Sequence, residues 1–378
     1  MKIVIAIDSF KGSLSSMQAG EAARDGIKKV YPDADVTVRP IADGGEGTVD
    51  ALIEGMGGER MQVEVTGPLG TPVVAEYGIF GTTAVMEMSA AAGITLVPAE
   101  LRNPMNTTTY GVGEMIIDAV RKGCRNFIVG IGGSATNDGG IGMLQALGFG
   151  MLDENGENVS MGGRGLEKIA KITTDGALPE LSECTFNIAC DVTNPLCGDL
   201  GCSAIYGPQK GADPDMVKTM DAWLERYAAI VKEVLPESDK NLPGAGAAGG
   251  IGFAFSAFLG GVLKNGIGLI LTETALEDHV RGADFVITGE GRLDSQTVMG
   301  KAPSGVAGIA KKYGIPVLAF SGCVTREATV CNEHGIDAFF PIVRAAVSLE
   351  EAMNTENAYR NLADTAEQAF RLIKTVRG

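Results

Sequence analysis

Residues that could handle phosphate chemistry occur in five segments, each of which follows an apolar, strand-like run of the chain. The segments are residues 8–11 (DSFK), 42–48 (ADGGEGT), 131–140 (IGGSATNDGG), 189–195 (ACDVTNP) and 288–294 (TGEGRLD). Each carries a carboxylate, a hydroxyl group or a cation, and glycine lets backbone N–H groups approach an anion closely. Because open α/β sheets bind ligands beyond the carboxyl ends of their strands, the pattern predicts loops that bind phosphate or carboxylate groups.

The longest of these segments has the most specific pattern, since a buried strand leads into it and an apolar helix begins after it at Ile141. Successive glycine N–H groups and a helix start form a nest for an anion. The alternative is a turn in which the glycines only permit positive φ angles and Asp138 caps the helix. The residues that we expect to bind phosphate or nucleotide are Gly132, Gly133, Ser134, Thr136, Asn137 and, in a separate glycine turn, Lys210.

Phosphoryl transfer requires cations, an oxygen ligand for Mg²⁺ and a group that accepts the proton of the acceptor hydroxyl. We expect Lys11 and Arg292 to bind a carboxylate or the transferring phosphate, and Asp191 to be the general base or a Mg²⁺ ligand, with Asp138 as a second metal ligand. The alternative for each residue is a cap, an ion pair or a turn. Further predicted substrate contacts are Ser9, Asp43, Glu87, Asn194 and Glu290.

Several other mechanisms lack the residues they need. The sequence contains no G-x-x-x-x-G-K-[ST] motif and no H-R-D motif, which excludes an ordinary P-loop and a protein kinase. His279 and His334 are the two histidines, so a general base is expected to be a carboxylate. Residues 244–249 match G-x-G-x-x-G, but Asn-Leu-Pro precedes them instead of a strand, which argues against a nicotinamide-dependent dehydrogenase.

Composition limits the partners. The 378 residues carry a net charge of −16, which argues against a broad surface for nucleic acid or anionic membranes but not against a small anionic ligand. The seven cysteines show no C-x-x-C spacing, and no signal-peptide pattern begins the sequence, so we expect reduced thiols and a cytoplasmic protein. The oligomeric state stays open, with a homodimer as one alternative.

The distribution of strand-like and helical patterns predicts two α/β domains. Lys2–Ile7 is a β-branched run, and Ser15 and Gln18 have the spacing of a capping box before an amphipathic helix. Short alternating runs between residues 62 and 88 predict an antiparallel meander, and the last hundred residues return to β-α-β spacing. We therefore predict a flavodoxin/Rossmann-like parallel-sheet domain from residues 1–65 and 283–378, an inserted mixed α/β domain from 66–282, and an active site in the cleft between them.

Together, these segments resemble the bacterial glycerate kinase family, in particular its glycerate 2-kinase branch. The resemblance runs from end to end, and the stretches that carry it are residues 7–11, 42–48, 130–140, 190–195, 207–211, 243–250 and 287–292. Two departures are Ile7, where the family commonly has proline, and Gly12, where an acidic residue is common.

The resemblance implies ATP-dependent phosphorylation of D-glycerate with Mg²⁺, generally to 2-phosphoglycerate, in glyoxylate, glucarate or galactarate breakdown. It also implies two α/β domains, one inserted into the other. Two alternatives remain open at this point: a kinase that forms 3-phosphoglycerate, and a hydroxy-acid-binding protein without catalytic activity.

Overall fold

The protein is a mixed α/β structure, seen here in a computed structural model that describes residues 1–42 and 47–377. Its strands are β1 Lys2–Ile7, β2 Asp35–Val38, β3 Glu59–Thr66, β4 Pro72–Phe80, β5 Thr83–Glu87, β6 Asn126–Gly130, β7 Gly150–Leu152, β8 Lys171–Thr173, β9 Thr185–Ala189, β10 Val262–Lys264, β11 Phe285–Leu293, β12 Val317–Val324 and β13 Ala338–Pro341. Fold class therefore agrees with the α/β prediction.

Helices connect most of these strands. The α-helices are α1 Ser16–Val30, α2 Thr48–Met56, α3 Ser89–Ala92, α4 Tyr110–Arg121, α5 Ile141–Ala146, α6 Cys202–Tyr206, α7 Pro214–Val234, α8 Ala247–Leu259, α9 Gly266–Glu273, α10 Leu276–Val280, α11 Ala302–Lys312, α12 Val330–Glu333, α13 Leu349–Met353 and α14 Thr355–Arg377. The 3₁₀ turns are Ile94–Leu96, Ala99–Leu101, Gly163–Lys168, Pro179–Glu183, Pro208–Lys210 and Arg326–Thr329. Among the described helices, none combines the length and the apolar character that a membrane crossing requires.

The chain forms two compact units. The first unit consists of Met1–Asp43, Asp50–Gly57 and Ile267–Gly378, and the second of Gly44–Val49 and Gly58–Gly266. The division expected from the sequence differs at both boundaries. It assigned most of β3 to the first domain, whereas β3 pairs with β4 in the sheet of the second unit. It also assigned α9 and α10 to the inserted domain, whereas both helices, apart from Gly266 at the start of α9, belong to the first unit.

The first unit is built on a five-stranded sheet in the order β13-β12-β11-β1-β2. All four neighbouring pairs are parallel. This order corresponds to the flavodoxin-like arrangement, in which the direction of strand addition reverses beside the first strand. Here the reversal lies between β1 and β11, so the carboxyl ends of these two strands form the switch point of the sheet.

Strand β11 is longer than the sequence predicted, because residues 288–294 were expected to form a loop. The strand pairs with β1 only as far as Ile7 and Gly289, but it continues along β12 through the pairs Arg292 with Cys323 and Leu293 with Val324. The longer neighbour β12 satisfies the backbone groups of this extension, which local propensity alone could not show. The last residues of β11 therefore project beyond the end of β1.

Two helices cover one face of this sheet and bury small side chains against each other. In α1, the predicted capping box is confirmed: Ser15 Oγ accepts a hydrogen bond from Gln18 N, and Gln18 Oε1 accepts one from Ser15 N. Helix α14 buries Ala363 and Ala366 near α1. At Gly26 of α1 the two helices approach so closely that a Cβ atom would lie 2.0 Å from the carbonyl oxygen of Ala363.

The second unit contains a six-stranded mixed sheet in the order β10-β9-β6-β5-β4-β3. Strands β3, β4 and β5 form the predicted antiparallel meander. Strands β5, β6, β9 and β10 are parallel to one another. Because the parallel strands end side by side, the segments that follow β5, β6 and β9 emerge at one edge of the sheet. A separate two-stranded antiparallel sheet, formed by β7 and β8, lies within residues 150–173.

The contact between α1 and α14 makes a testable prediction about stability. Replacing Gly26 with Ala should lower the free energy of unfolding of the first unit by about 1–3 kcal/mol, because the added methyl group meets backbone rather than a movable side chain. The matched control is Gly308→Ala in α11, where a Cβ atom would meet nothing within 4 Å.

Chemical denaturation of the two variants measures this difference. The control should range from no change to about 1 kcal/mol of stabilisation, since alanine favours a helix over glycine. Equal stability of the two variants would show that the α1–α14 contact is not as close as the structure indicates.

Candidate active site

The loop after β1 begins the candidate site of the first unit. Asp8 is buried, its N–H donates to the carbonyl oxygen of Gly289 at 2.9 Å, and its Oδ1 accepts from Ser9 N at 2.7 Å. A short bridge between Phe10 and Leu14 closes the loop. Ser9 and Lys11 are therefore held at the carboxyl end of β1 by a tight backbone turn, with Lys11 exposed.

The projecting end of β11 supplies the second part of this site. The Glu290 carboxylate is buried, accepts a hydrogen bond from Thr297 Oγ1 at 2.6 Å and lies 3.9 Å from Lys301 Nζ. Arg292 points outward with 65 % of its side chain exposed, and its Nε is 3.4 Å from Asp294 Oδ2. The strand extension thus places a buried carboxylate and an exposed cation two residues apart.

These residues line one cavity of about 800 Å³ that belongs entirely to the first unit. Its polar part combines three cations, Lys11, Arg292 and Lys301, with the carboxylates Asp8, Glu290 and Asp294, as well as Ser9 and Ser13. The Ser13 Oγ atom is buried and has no hydrogen-bond partner in the described part of the chain. Such a mixture of charges suits an anionic ligand accompanied by a cation better than a bare anion.

The second unit carries a corresponding set of residues at the edge of its parallel strands. In the register of the sheet, Glu87 of β5 lies beside Gly130 of β6, which lies beside Ala189 of β9. Glu87 is half-buried, and its Oε1 accepts from Val49 N at 3.2 Å. Asp191 is exposed, and its Oδ1 accepts from Asn265 Nδ2 and Gly266 N, both at 2.8 Å. These two donors fix the orientation of the Asp191 carboxylate.

The loop after β6 is anchored by Asp138, whose carboxylate is fully buried. Its Oδ2 accepts from Thr109 N and Thr109 Oγ1, both at 2.9 Å, and its Oδ1 accepts from Gly140 N at 3.1 Å. Burial raises the pKa of Asp138, and these hydrogen bonds oppose the rise. In this geometry Asp138 stabilises the loop. Its expected role as a metal ligand remains a prediction.

The side chain of Lys210 is buried beside the loop after β6. Its Nζ donates to Ser134 Oγ at 2.8 Å and to the carbonyl oxygen of Thr136 at 2.6 Å. Burial lowers the pKa of Lys210 to about 8, because the charged ammonium group loses its hydration. The amine therefore crosslinks the phosphate-binding loop that the sequence predicted, with Gly132 and Gly133 the exposed part of that loop.

Two predicted asparagines are engaged with neighbouring side chains. Asn194 donates from Nδ2 to the carbonyl oxygen of Leu200 at 2.9 Å, and its Oδ1 accepts from Tyr206 OH at 2.6 Å. Asn137 donates to Ser203 Oγ at 2.8 Å, while its Oδ1 and Thr136 Oγ1 are buried and have no hydrogen-bond partner among the described residues. Asp43 lies outside the described residues.

The G-x-G-x-x-G-like segment proves to be a support for this loop. Gly249 has a φ of 75°, and its carbonyl oxygen accepts from Gly139 N at 2.9 Å. A Cβ atom on Gly249 would lie 2.1 Å from the carbonyl oxygen of Thr136. Glycine is therefore needed here for close backbone packing rather than for a dinucleotide.

The Mg²⁺ ion that the sequence implied would need oxygen donors from the protein. Across residues 1–42 and 47–377, no three His, Cys, Asp or Glu side chains are placed to hold a metal ion together. Proteins commonly bind Mg²⁺ through one or two carboxylates, with phosphate oxygens and water completing the shell. Asp8 and Glu290 in the first unit, and the exposed Asp191 in the second, are oxygen donors that fit this requirement.

Sequence reasoning missed several residues of the first cavity. The apolar wall formed by residues 342–353 gave no recognisable motif, although most residues of this segment, including Val347, Leu349 and Met353, are apolar. Ser13 and Cys323 also line the cavity, and only the pairing of β11 with β12 brings Cys323 there. Thr109, the partner of Asp138, lies 29 residues away in the chain and left no local signal.

Comparisons with known proteins agree on one family. The profile of the glycerate kinase family matches residues 3–374. A protein of Escherichia coli strain K12 named glycerate 2-kinase is 49 % identical over 372 residues, which cover 97 % of this chain and 98 % of that protein. A glycerate kinase of Halalkalibacterium halodurans is 48 % identical and covers 96 % of this chain and 97 % of its own length.

A solved structure supports the same relationship. A crystal structure from Salmonella typhimurium LT2, of a protein assigned to glycerate kinase 2, matches with a TM-score of 0.93 and 46 % sequence identity. The match covers 100 % of this chain and 99 % of the crystallised chain.

The buried amine of Lys210 predicts a distinct pH dependence of stability. Because its pKa is about 8 in the folded protein and 10.5 for an unperturbed lysine, the folded state bears the cost of the buried charge at pH 8 and below. The thermal midpoint of the wild type, measured relative to that of Lys210→Met, should therefore rise as the pH increases from about 8 to 10.5.

The exposed Lys218→Met serves as the control and should follow the wild-type pH profile. If Lys210→Met and Lys218→Met showed the same profile, the amine of Lys210 would not be buried as described.

Proposed function

Because the chain belongs to the glycerate kinase family, we propose that it transfers the γ-phosphoryl group of ATP to a hydroxyl group of D-glycerate and forms 2-phosphoglycerate. Such an enzyme is a phosphotransferase with an alcohol group as acceptor. The observation that carries the proposal is the first cavity, where Lys11, Arg292 and Lys301 accompany the carboxylates of Asp8 and Glu290 at the carboxyl ends of parallel strands. This is the charge distribution that a metal-bound phosphate chain requires.

We assign the anion-binding role to Lys11 and Arg292. Arg292 is exposed, and its planar guanidinium group can donate two parallel hydrogen bonds to a phosphate or a carboxylate. Ser9 and Glu290, at the ends of β1 and β11, are proposed to contact the ligand in the same cavity. These groups would stabilise the negative charge on the transferring phosphoryl group.

For the divalent ion, Asp8 and Glu290 are the carboxylates of the cavity that fit Mg²⁺ together with phosphate oxygens. Bound there, Mg²⁺ would neutralise part of the charge of the phosphate chain. Asp191 and Asp138 remain proposed ligands from the sequence, and of the two the exposed Asp191 has the more accessible carboxylate.

In the second unit, Asp191 is the proposed general base. It would accept the proton of the glycerate hydroxyl as that oxygen forms its bond to phosphorus. The hydrogen bonds from Asn265 and Gly266 orient the carboxylate for this role. Glu87 and Asn194 are proposed substrate contacts, and Asp43 is a further one that lies outside the described residues. We propose the exposed Gly132 and Gly133, with Ser134, Thr136, Asn137 and Lys210 behind them, as an anion-binding loop.

The setting of the reaction is also a proposal. We place it in the breakdown of glyoxylate, glucarate or galactarate, and in the cytoplasm. The seven free cysteines support a reducing compartment. The expected partners are ATP and D-glycerate, with a homodimer as the proposed assembly.

A coupled ATP and Mg²⁺ assay on D-glycerate, followed by phosphorus NMR of the product, tests this function. We expect turnover and a signal coupled to one proton, since the phosphate of 2-phosphoglycerate is attached to a CH group. A signal coupled to two protons would instead identify 3-phosphoglycerate. Absence of transfer in a protein that still binds D-glycerate would overturn the kinase assignment in favour of a binding protein.

The base assignment predicts a specific kinetic change. Asp191→Asn should lower kcat on the order of 100-fold, because the amide keeps the shape of the side chain but cannot accept the proton. The KM for ATP should change little. Asp199→Asn, an exposed aspartate of the following turn, is the control and should stay within about twofold of the wild type. A folded Asp191→Asn enzyme with normal kcat would remove Asp191 from this role.

A further inference from the structure

The cavity of the first unit has an apolar part that phosphoryl transfer to a small acid does not explain. This apolar part is formed by the segment that follows β13 and by α13. It faces the same cavity as the charged residues Lys11 and Arg292. Its apolar lining residues are Ile342, Val343, Ala345, Ala346, Val347, Leu349, Ala352 and Met353.

The size of the cavity exceeds what D-glycerate needs. Its volume is about 800 Å³, within the range of about 300–1,000 Å³ that proteins use for ligands of drug size. A three-carbon hydroxy acid would fill a small fraction of this volume, and it has no large apolar part to pack against the apolar wall. The volume therefore suits a ligand with a large apolar part and an anionic part.

The apolar side chains are unusually exposed for their type. Val347 is 40 % exposed, Leu349 78 % and Met353 36 %, although all three line the same cavity. Clusters of exposed apolar side chains in monomeric proteins commonly mark binding sites. Met353 also lies against the loop after β1, since a Cβ atom on Gly12 would be 3.1 Å from Met353 Cε. The apolar wall thus lies beside the charged loop.

The position of the cavity in the sheet points to a nucleotide. It lies at the carboxyl ends of β1 and β11, the switch point of a flavodoxin-like strand order, where such sheets bind ligands with a planar ring and phosphate. The buried Ser13 Oγ, without a partner in the described part of the chain, supplies a hydrogen-bonding group for a polar ligand atom.

We propose that this cavity is the nucleoside triphosphate site, an assignment that rests on the proposed kinase function and locates its nucleotide. The purine ring packs among Val347, Leu349 and Met353, and the phosphate chain extends toward Lys11, Arg292 and Lys301. The loop of residues 131–140 is then not the nucleotide site. Lys210, the buried cation beside that loop, already donates its hydrogen bonds to Ser134 and Thr136.

Cys323 provides a direct probe, because it lines the cavity and is exposed, whereas the other six cysteines are buried or partly buried. Its alkylation by N-ethylmaleimide can be followed by mass spectrometry of the intact wild-type enzyme. Saturating ATP or ADP should slow this alkylation roughly tenfold or more, while D-glycerate alone should leave the rate unchanged. Equal rates with and without nucleotide would overturn the proposal.

A pair of variants tests the apolar wall itself. Val347→Asp introduces a charge beside the purine ring and should raise the KM for ATP roughly tenfold or more, with the KM for D-glycerate within about twofold of the wild type. The control is Val74→Asp, since Val74 is 62 % exposed on β4 of the second unit. This control should change neither constant. An unchanged KM for ATP in a folded Val347→Asp enzyme would contradict the proposed location.

These experiments distinguish a wrong reaction from a wrong location of the nucleotide. If ATP protects Cys323 but D-glycerate is not phosphorylated, the nucleotide site stands and the proposed reaction is wrong. If D-glycerate is phosphorylated but ATP does not protect Cys323 and the KM for ATP is unchanged in Val347→Asp, the proposed reaction stands and the nucleotide binds elsewhere. Binding of adenosine should weaken with Val347→Asp but not with Lys11→Ala, because only the former contacts the ring.

Discussion

The parallel pairing of β1 with β11 is the interaction on which the site of the first unit depends. It joins strands from the two ends of the chain, in the register Ile7 with Gly289. This register sets Asp8 at the point where β1 ends and lets Glu290 and Arg292 continue past it along β12. Because side chains alternate between the faces of a strand, a slip of one residue would exchange the buried carboxylate of Glu290 with its neighbour.

The second unit uses its strand ends differently. Where the first unit leaves cations exposed around a cavity, the loop after β6 is held from within by the buried Asp138 and Lys210. Buried polar groups stabilise a loop only when their hydrogen bonds are made, and most of those on these two side chains are made within the loop and its neighbours. These bonds hold the backbone that follows Gly132 and Gly133, so the anion that we propose for this loop would cost little conformational freedom on binding.

Much of this architecture could be predicted from the sequence, because local signals and a family resemblance carried it. The capping box of residues 15–18 predicted the start of the first helix. Short runs of alternating apolar and polar residues predicted the meander of β3–β5. The features that the sequence did not predict depend on partners that lie far away in the chain. Residues 288–294 contain glycines and were predicted as a loop, yet pairing with β12 makes residues 288–293 part of strand β11. Asp138 gave no sign that Thr109 would occupy its carboxylate, and the apolar wall near Leu349 has no period to detect.

The central claim, that the carboxyl edge of the first sheet binds the nucleotide, is tested most directly by hydrogen–deuterium exchange. The full chain is compared with and without saturating ATP, in the absence of D-glycerate. The account predicts slower exchange in residues 9–14 and 342–353, which border the cavity. Slower exchange confined to residues 131–140, with both of these segments unchanged, would contradict it.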